Sequence, residues 1–331
     1  MQDTSTTSQG KELPARPYLK PWYRLAQSDD RLVLEYGHAT VVLEGQAVAM
    51  LLPLLLPLLD GRRTIDEINQ HVGGDAAPAV ANALNVLTEG GVLTDGPPLP
   101  EDTPTAVAET AHFLSALSGD GRPVSESEAI LSQATLEVVG TGPTAREIAI
   151  LISVSGVTQL TVVDWKQMGE SASTDLVVVA PEPEELGELE TWNRRAVESG
   201  TPWLQALPFD GHMAVVGPLY VPGETCCYEC YRRRRAANVS YPTEDYWALE
   251  DSPASYPSPP PMRHMVAGLA AMFALQWLSD RAAGRASQPA ATMHALEWTP
   301  SVDVSRHLVY RVPRCQVCFP DDLGVPTPWD D

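Results

Sequence analysis

The sequence predicts an α/β protein in two parts: a small N-terminal winged helix-turn-helix, then a larger domain built on a parallel sheet with covering helices. Three observations predict it. A strand-rich run followed by three short helical segments occupies the first 95 residues. A strand, a glycine turn and a helix recur from Thr135 as a βαβ unit. The 331 residues are enough for two separate cores, and 44% hydrophobic with 20% charged residues is an ordinary globular composition.

In chain order, Trp22–Leu25, Arg31–Tyr36 and Ala39–Leu43 are β-branched or aromatic runs, the last two joined at Gly37-His38, and read as a three-stranded meander. Apolar spacing turns helical across Gly45–Leu59 and stops at Asp60-Gly61. Thr64 and Glu67 form a capping-box pair that opens a helix over Ile65–His71. A third helix carries Val80, Ala83, Leu84 and Leu87 on one face, ends at Gly90-Gly91, and returns as a wing strand at Val92-Leu93. This recognition domain spans 16–95. The proline-rich stretch Pro97–Thr105 opens a linker over 96–128, with an amphipathic segment near Glu109–Leu117.

The second domain, 129–325, begins with a strand at Thr135–Val139, a tight turn at Gly140–Pro143, a helix at Thr144–Ser155 and a strand at Gln159–Asp164. Asp175–Ala180 reads as a strand, Glu184–Ser199 as a helix and Trp203–Leu207 as a further strand. Pro242–Pro261 reads as a proline-rich surface loop and Arg263–Arg281 as an apolar helix. His294–Trp298 and His307–Val312 read as an antiparallel pair leading to the last cysteines.

A net charge of -21 argues against a nucleic-acid partner, since phosphates would be repelled. The one basic run, Arg232–Arg235, reads as a solvated helix face, and so does the acidic cluster Glu182–Glu190. Met1–Lys11 is polar and lacks an apolar secretory core, which places the chain in the cytoplasm. The most apolar stretch, Ala47–Leu59, is 13 residues broken by Pro53 and Pro57, too short for a membrane span.

Cys227, Cys230, Cys315 and Cys318 form two C-x2-C knuckles, the ligand set and spacing of tetrahedral structural zinc. The 84 residues between Cys230 and Cys315 mean that the metal joins distant elements, and four filled positions leave no open site for catalysis. Redox pairs or plain buried thiols are the competing reading. Cys226 is left over, as a spare core thiol or a reactive one. Gly140-Thr141-Gly142-Pro143-Thr144-Ala145, with Asp164 at the end of the next strand, has the placement of a nucleotide-binding turn. Against that, Pro143 lacks an N–H at its mouth and Ala145 stands where a third glycine belongs. The seven histidines show no ligand spacing, His264 and His294 read as hydrogen-bonded or surface residues, and Trp22, Trp165, Trp192, Trp203 and Trp298 read as core anchors.

The glycine turn, Asp164, Thr201-Pro202-Trp203, Gly223-Glu224-Thr225-Cys226-Cys227-Tyr228-Glu229-Cys230 and the late Cys315-Gln316-Val317-Cys318 together resemble the ThiF/MoeB adenylating superfamily over about residues 130–320. The resemblance implies a ThiF-like Rossmann-type domain with a structural zinc. In that family the strand ends in Asp-x-Asp and is followed by Asn/Arg/Gln and lysine segments that hold ATP. Here Asp164 is followed by Trp165-Lys166-Gln167-Met168, and ten residues separate it from Asp175. The ATP apparatus is missing from the pattern.

Arg16-Pro17-Tyr18-Leu19-Lys20-Pro21 leading into the small winged domain, with Leu59-Asp60-Gly61-Arg62-Arg63-Thr64-Ile65, is similar to the precursor-recognition element of ribosomal peptide pathways. Fused to a ThiF-like domain, it resembles the leader-peptide-binding partner protein of YcaO cyclodehydratases. That resemblance implies a non-catalytic scaffold: a leader adds as a strand along Thr40, Val41, Val42 and Leu43, in a groove walled by Val80, Leu84 and Leu87. Those apolar residues equally fit an ordinary core, and the register is open. The partners implied are a precursor leader and a YcaO-type cyclodehydratase, with a homodimer as the default for ThiF-like domains. An ATP-dependent adenylating enzyme acting on a peptide or carrier C-terminus is the alternative, and a winged-helix transcription regulator lacks its basic recognition helix.

Overall fold

A computed structural model describes residues 12–28, 30–118, 121–167, 174–250, 252, 258–285, 290–298 and 301–319. Two compact units result, Met1–Ala129 and Ile130–Asp331.

In the first unit the meander forms as β2 (Arg24–Ser28), β3 (Arg31–Tyr36) and β4 (Ala39–Glu44), preceded by a short β1 (Pro17–Leu19) that the sequence reading lacks. Antiparallel register pairs Leu32 with Leu43, Val33 with Val42 and Leu34 with Val41. The pleat therefore sends Leu32, Leu34, Val41 and Leu43 to one face, and Val33, Val42 and Thr40 to the other. Leu32 and Leu34 are wholly buried, which fixes the inner face.

The helix expected over Gly45–Leu59 is broken into α1 (Gln46–Met50), α2 (Leu52–Leu55) and a 3-10 turn at Leu56–Leu58. Pro53 and Pro57 have no N–H to donate and crowd the preceding turn, so each lies in the opening of a new short segment rather than within a continuous helix. Leu52, Leu55 and Leu59 still reach the core. The capping box forms as expected: Thr64 N–H donates to Glu67 Oε2 at 2.8 Å and Glu67 N–H to Thr64 Oγ1 at 3.3 Å, opening α3 (Ile65–Val72). α4 (Ala77–Glu89) sends Val80, Leu84 and Leu87 into a core with Leu32, Leu34, Leu55 and Ile68. β5 (Leu93–Asp95) pairs antiparallel with β1 and stays apart from the meander. Residues 96–128 hold α5 (Thr105–Ser118) and the start of α6 (Val124–Gln133).

The second unit is a seven-stranded mixed sheet. Its strands are β6 (Thr135–Val139), β7 (Gln159–Val163), β8 (Leu176–Val179), β9 (Trp203–Leu207), β10 (Met213–Tyr220), β11 (Thr292–Glu297) and β12 (Asp303–Leu308). They run in the order β12-β11-β10-β9-β8-β6-β7. The expected parallel pairing holds from β7 to β9, and β10, β11 and β12 extend it antiparallel. β8, all Leu and Val and wholly buried, reads as parallel strands covered on both faces do. α7 (Pro143–Val154) and α11 (Pro260–Ala282) pack on one face of the sheet. On the other, α8 (Glu188–Ser199) and α9 (Tyr228–Ala236) build an aromatic core around Trp192, Trp203, Tyr220, Tyr228 and Tyr231. α10 (Thr243–Glu250) lies within the stretch expected as a loop. The rest of that loop at 251 and 253–257, Met168, and the expected domain end at 320–325 lie outside the described residues. Among the described residues no helix is long and apolar enough to cross a membrane.

Candidate metal centre and strand edge

The sequence places Cys227 at the N-cap of α9, so that the first knuckle straddles a helix N-terminus, where the dipole and free N–H groups favour thiolates. The second knuckle turns through Arg314, whose φ is 56°, and carries Cys315 and Cys318 back to the first. All four Sγ atoms lie within 4.8 Å of one another; Cys227 to Cys230 is 3.9 Å, Cys227 to Cys315 3.7 Å and Cys230 to Cys318 3.5 Å. Four sulfurs at about 2.3 Å from a tetrahedral zinc stand about 3.8 Å apart, so the cluster is already the right size. Val312 N–H donates to Cys230 Sγ at 3.3 Å. Hydrogen bonds from the Cys227 and Cys318 thiols, with that N–H, hold Cys230 far below the usual thiol range. Cys227, bonded to the Cys230 sulfur, is pushed up to about 12, and Cys318 is pushed up as well. A cation removes this competition for protons by letting every sulfur ionise. The four residues can thus hold one metal ion, with zinc the natural choice for an all-thiolate tetrahedron.

The surroundings make the cluster part of the core. Cys227, Cys230 and Cys315 pack with Trp203, Tyr228 and Tyr231, and Tyr228 N–H donates to the buried Asn193 Oδ1 of α8 at 3.0 Å. Cys226 is buried and its pKa is raised to about 12, first by burial and then by Cys230 and Cys227, which makes it an inert core thiol at neutral pH.

The solvated-face reading of Arg232–Arg235 holds for Arg233, which is exposed, and is corrected for Arg232, Arg234 and Arg235. Arg232 is buried, bonded to Glu250 at 2.7 Å and to Glu190, with Glu229 at 3.8 Å, and lies 4.7 Å from the Trp247 ring. Arg234 donates to the carbonyls of Tyr310 (2.5 Å) and Arg311 (2.8 Å), and Arg311 donates to Thr225 O at 2.7 Å. Arg235 pairs with Asp210. These groups brace the chain on both sides of the cysteines. Periodicity could not reveal this, because, Glu229 apart, the carboxylate and carbonyl partners come from 18 to 77 residues away.

The glycine turn folds as a strand-turn-helix with Pro143 at the start of α7, where its missing N–H costs nothing. Gly140 has φ 141° and sits so close to Ala180 that a Cβ would stand 2.3 Å from its carbonyl oxygen, which requires glycine. The place a phosphate would take is filled from within: a Cβ on Gly142 would lie 1.5 Å from Glu182 Oε1. Thr141 Oγ1 donates to Glu185 Oε1 at 2.8 Å. Glu182 is therefore half-buried in the turn and not on a solvated face, and burial, then Glu185 and Glu184, raise its pKa. Asp164, the expected ribose partner, accepts from Lys166 N–H (2.8 Å) and Gln167 N–H (3.2 Å) of its own turn. His264 pairs with Glu147, and His294 lies against Phe273 at 4.5 Å between ring centroids.

In the first unit, β4 pairs with β3 alone among the described residues, so its outer backbone edge is open. Val41 and Leu43 lean toward the helices; Thr40 and Val42 stand on the outer face, Val42 exposed. Val80, Leu84 and Leu87 have no exposed surface. The part of α4 that meets the edge is its neighbouring face: a Cβ on Gly90 would touch Val41 Cγ2 at 3.1 Å, and Val86, one turn earlier, is 36% exposed. Val86 and Gly90 do not stand out in the sequence, because the strongest apolar periodicity marks the buried stripe of a helix, not its rim.

No protein-family model matches the chain, and no curated protein is detectably similar to it. Solved structures are similar. The heterocyclase TruD matches at 24% identity and a TM-score of 0.69, over 92% of this chain and 43% of that one. A heterocyclase in complex with substrate and cofactor matches at 22% identity and 0.70, over 91% and 39%. E. coli MccB with MccA matches at 14% identity and 0.65, over 91% and 99%. These likenesses establish a shared mixed α/β fold. The chain spans less than half the length of the two heterocyclases and nearly all of MccB.

Proposed function

We propose that this chain is a non-catalytic scaffold that captures the leader of a ribosomally made precursor peptide and presents it to a YcaO-type cyclodehydratase for azoline formation. The observation that carries this reading is the open edge of β4 beside the rim of α4. An extended peptide added there gains main-chain hydrogen bonds, and its alternate side chains enter the space between β4 and α4. Val41, Leu43, Val86 and Gly90 would line that space, Thr40 and Val42 would present the backbone edge, and Val80, Leu84 and Leu87 would hold the helix in place from beneath. On this reading residues 16–95 form the winged-helix recognition domain, 96–128 its connection and 129–325 the ThiF-like partner-facing domain.

The similarity to heterocyclases over less than half of their length supports a division of labour in which the ring-closing chemistry lies outside this chain. Glu182 in the glycine turn and Asp164 bonded to its own loop support the loss of nucleotide binding. The zinc, held by Cys227, Cys230, Cys315 and Cys318, is structural: it contributes folding energy and fixes the arginine-braced surface. Acceleration comes from raising the local concentration of bound substrate at the partner's site. The protein is expected in the cytoplasm and as a homodimer, which sedimentation equilibrium checks. The test is reconstitution. With a YcaO partner and a precursor, loss of one water per ring should require this chain with residues 1–95 intact; equal ring formation without those residues refutes the scaffold.

The match to nearly the whole of MccB, which has also been solved with ATP at a TM-score of 0.62, favours a second reading. In it the chain is an ATP-dependent adenylating enzyme acting on a peptide or carrier C-terminus. Pyrophosphate exchange by this chain alone, dependent on a peptide, would establish that reading; none is expected.

A further inference from the structure

β12 closes one side of the seven-stranded sheet and pairs with β11 alone among the described residues. Val309 N–H donates to Ala291 O at 2.8 Å, in register with the pairing of Leu308 to Thr292. Antiparallel ladders alternate, so the odd-numbered residues of β12 direct their backbone groups to β11, and Val304, Arg306 and Leu308 turn theirs to the open edge. Edge strands are commonly blunted by proline, lysine or a bulge. Asp303-Val304-Ser305-Arg306-His307-Leu308 has neither residue, and its register with β11 is unbroken.

The side chains alternate as well. Val302, Val304 and Leu308 share one face and are 47%, 50% and 54% exposed; Trp298, read from the sequence as a core anchor, is 40% exposed just past the end of β11. Asp303, Ser305 and His307 share the other face, with Asp303 and His307 exposed, and Ser305 Oγ lies 2.9 Å from His307 Nε2. This pattern is complementary to itself. A two-fold axis through the sheet keeps every side chain on its own face, so two antiparallel β12 strands can oppose only residues of the same parity. With Ser305 on the axis, Asp303 stands opposite the partner's His307 and Val302 opposite the partner's Leu308. The outward groups of Val304 and Arg306 then form the hydrogen-bonded pairs. An axis at Asp303 or Arg306 would instead set like charges directly opposite, which is destabilising, and one at Val304 would leave Asp303 opposite Ser305.

We propose that β12 is the interface of a homodimer in which two copies of this chain pair edge to edge, antiparallel, with Ser305 on the two-fold axis. The two sheets join into one, and Asp303 meets the partner's His307 twice, in non-hydrogen-bonded positions where side chains approach most closely. The occupant is a second copy because one strand supplies both halves of every pair. Copies that each carry a net charge of -21 repel one another, and the matched acidic and imidazole positions give their association a single register. The proposal rests on the homodimer expected above and names its surface.

Sedimentation equilibrium of the full-length protein is compared with that of His307→Glu and of the double variant Asp303→Lys/His307→Glu. Within one strand, positions 303 and 307 are about 13 Å apart, too far to pair, so an exchange of charge between them is repaired only across the interface. The parent should be a dimer. His307→Glu sets two carboxylates opposite each other at both ends and should weaken the dimer about tenfold, and the double variant should recover to within about threefold of the parent. A second readout fixes the register. Ser305→Cys places two thiols across the axis with Cα atoms about 4.5 Å apart, within disulfide reach, and should cross-link the dimer on mild oxidation; Val304→Cys, about 8 Å from its copy, should not. A dimer unweakened by His307→Glu, no recovery in the double variant, or cross-linking at 304 in place of 305 overturns the pairing of β12 and leaves the homodimer standing. A monomeric parent overturns both and leaves the edge to a different protein. Positions 303 and 307 are exposed, and metal content and thermal midpoint establish that each variant retains the fold.

Discussion

Replacing Cys318 with serine removes one of four thiols from a cluster that can hold a metal ion and joins two distant parts of the chain. Cys227 and Cys315 are 88 residues apart. Treated as a cross-link closing a loop of that size, the metal removes about 15 cal/mol/K of entropy from the unfolded chain, or about 4–5 kcal/mol at 25 °C. That is a large fraction of the 5–15 kcal/mol that holds a typical domain folded. For a unit of about 200 residues, each kcal/mol moves the midpoint by about 2–4 °C, so Cys318→Ser should melt about 10–18 °C lower. The assay pairs differential scanning calorimetry with metal content by mass spectrometry. The parent should hold one zinc per chain and the variant almost none; a chelator should lower the parent's midpoint toward the variant's and leave the variant unmoved. A variant that keeps stoichiometric zinc and melts within about 3 °C of the parent would refute the clamp, because the loop would then be closed by packing alone.

Arg232→Met leaves Glu190, Glu229 and Glu250 facing one another without their cation. Breaking a buried ion pair costs about 3–5 kcal/mol; these glutamates are partly solvated, so a loss of about 2–3 kcal/mol in urea unfolding is expected, and a loss below about 1 would contradict the bracing role. Glu182 concerns pH. Burial, Glu185 and Glu184 raise its pKa, against smaller lowering by Arg263 and Arg146. The folded state therefore holds this proton more tightly than the unfolded one, and Glu182 disfavours folding increasingly as pH rises through its folded pKa. Glu182→Gln should match the parent near pH 4 and be more stable at pH 8; an advantage that does not change between these pH values would show that the carboxylate is solvated.

Much of the architecture is legible in the sequence because it follows from local rules. The capping box at Thr64 and Glu67, the alternation through β3 and β4, the Leu-Val run of β8 and the two cysteine pairs each state their structure in a few adjacent residues. What stayed hidden depends on partners far along the chain or on local exceptions. β10 was passed over because Gly217 and Pro218 interrupt it; the strand accommodates them where its register with β9 shifts between Val216 and Leu219. Pro53 and Pro57 divided a run whose apolar spacing alone suggests one helix. In the candidate metal centre the cysteine pairs could be read from spacing, but not that Arg234 and Arg311 anchor the returning segment, since each contact joins residues 76 or more apart. At the strand edge, apolar periodicity located α4 and chose its buried stripe, whereas Val86 and Gly90 become visible only once β4 lies beside them. The glycine turn was legible as a fold element; its filling by Glu182, 40 residues later, was not.

The central claim is that the space between β4 and α4 receives an extended peptide, and binding to two single-site variants of the full chain tests it most directly. Val86→Glu places a charge on the rim facing β4, and Val42→Glu places the same charge on the opposite face of the same strand; both positions are solvent-exposed, so both proteins should fold. Fluorescein-labelled N-terminal segments of any short Cys/Ser/Thr-rich peptide found encoded near this chain's gene serve as probes in fluorescence anisotropy. The account predicts that one of them binds, that Val86→Glu weakens it by at least about tenfold, equivalent to about 1.4 kcal/mol, and that Val42→Glu changes it less than about twofold. Equal affinity of the parent and Val86→Glu for a peptide that binds, or a greater loss from Val42→Glu, would contradict it.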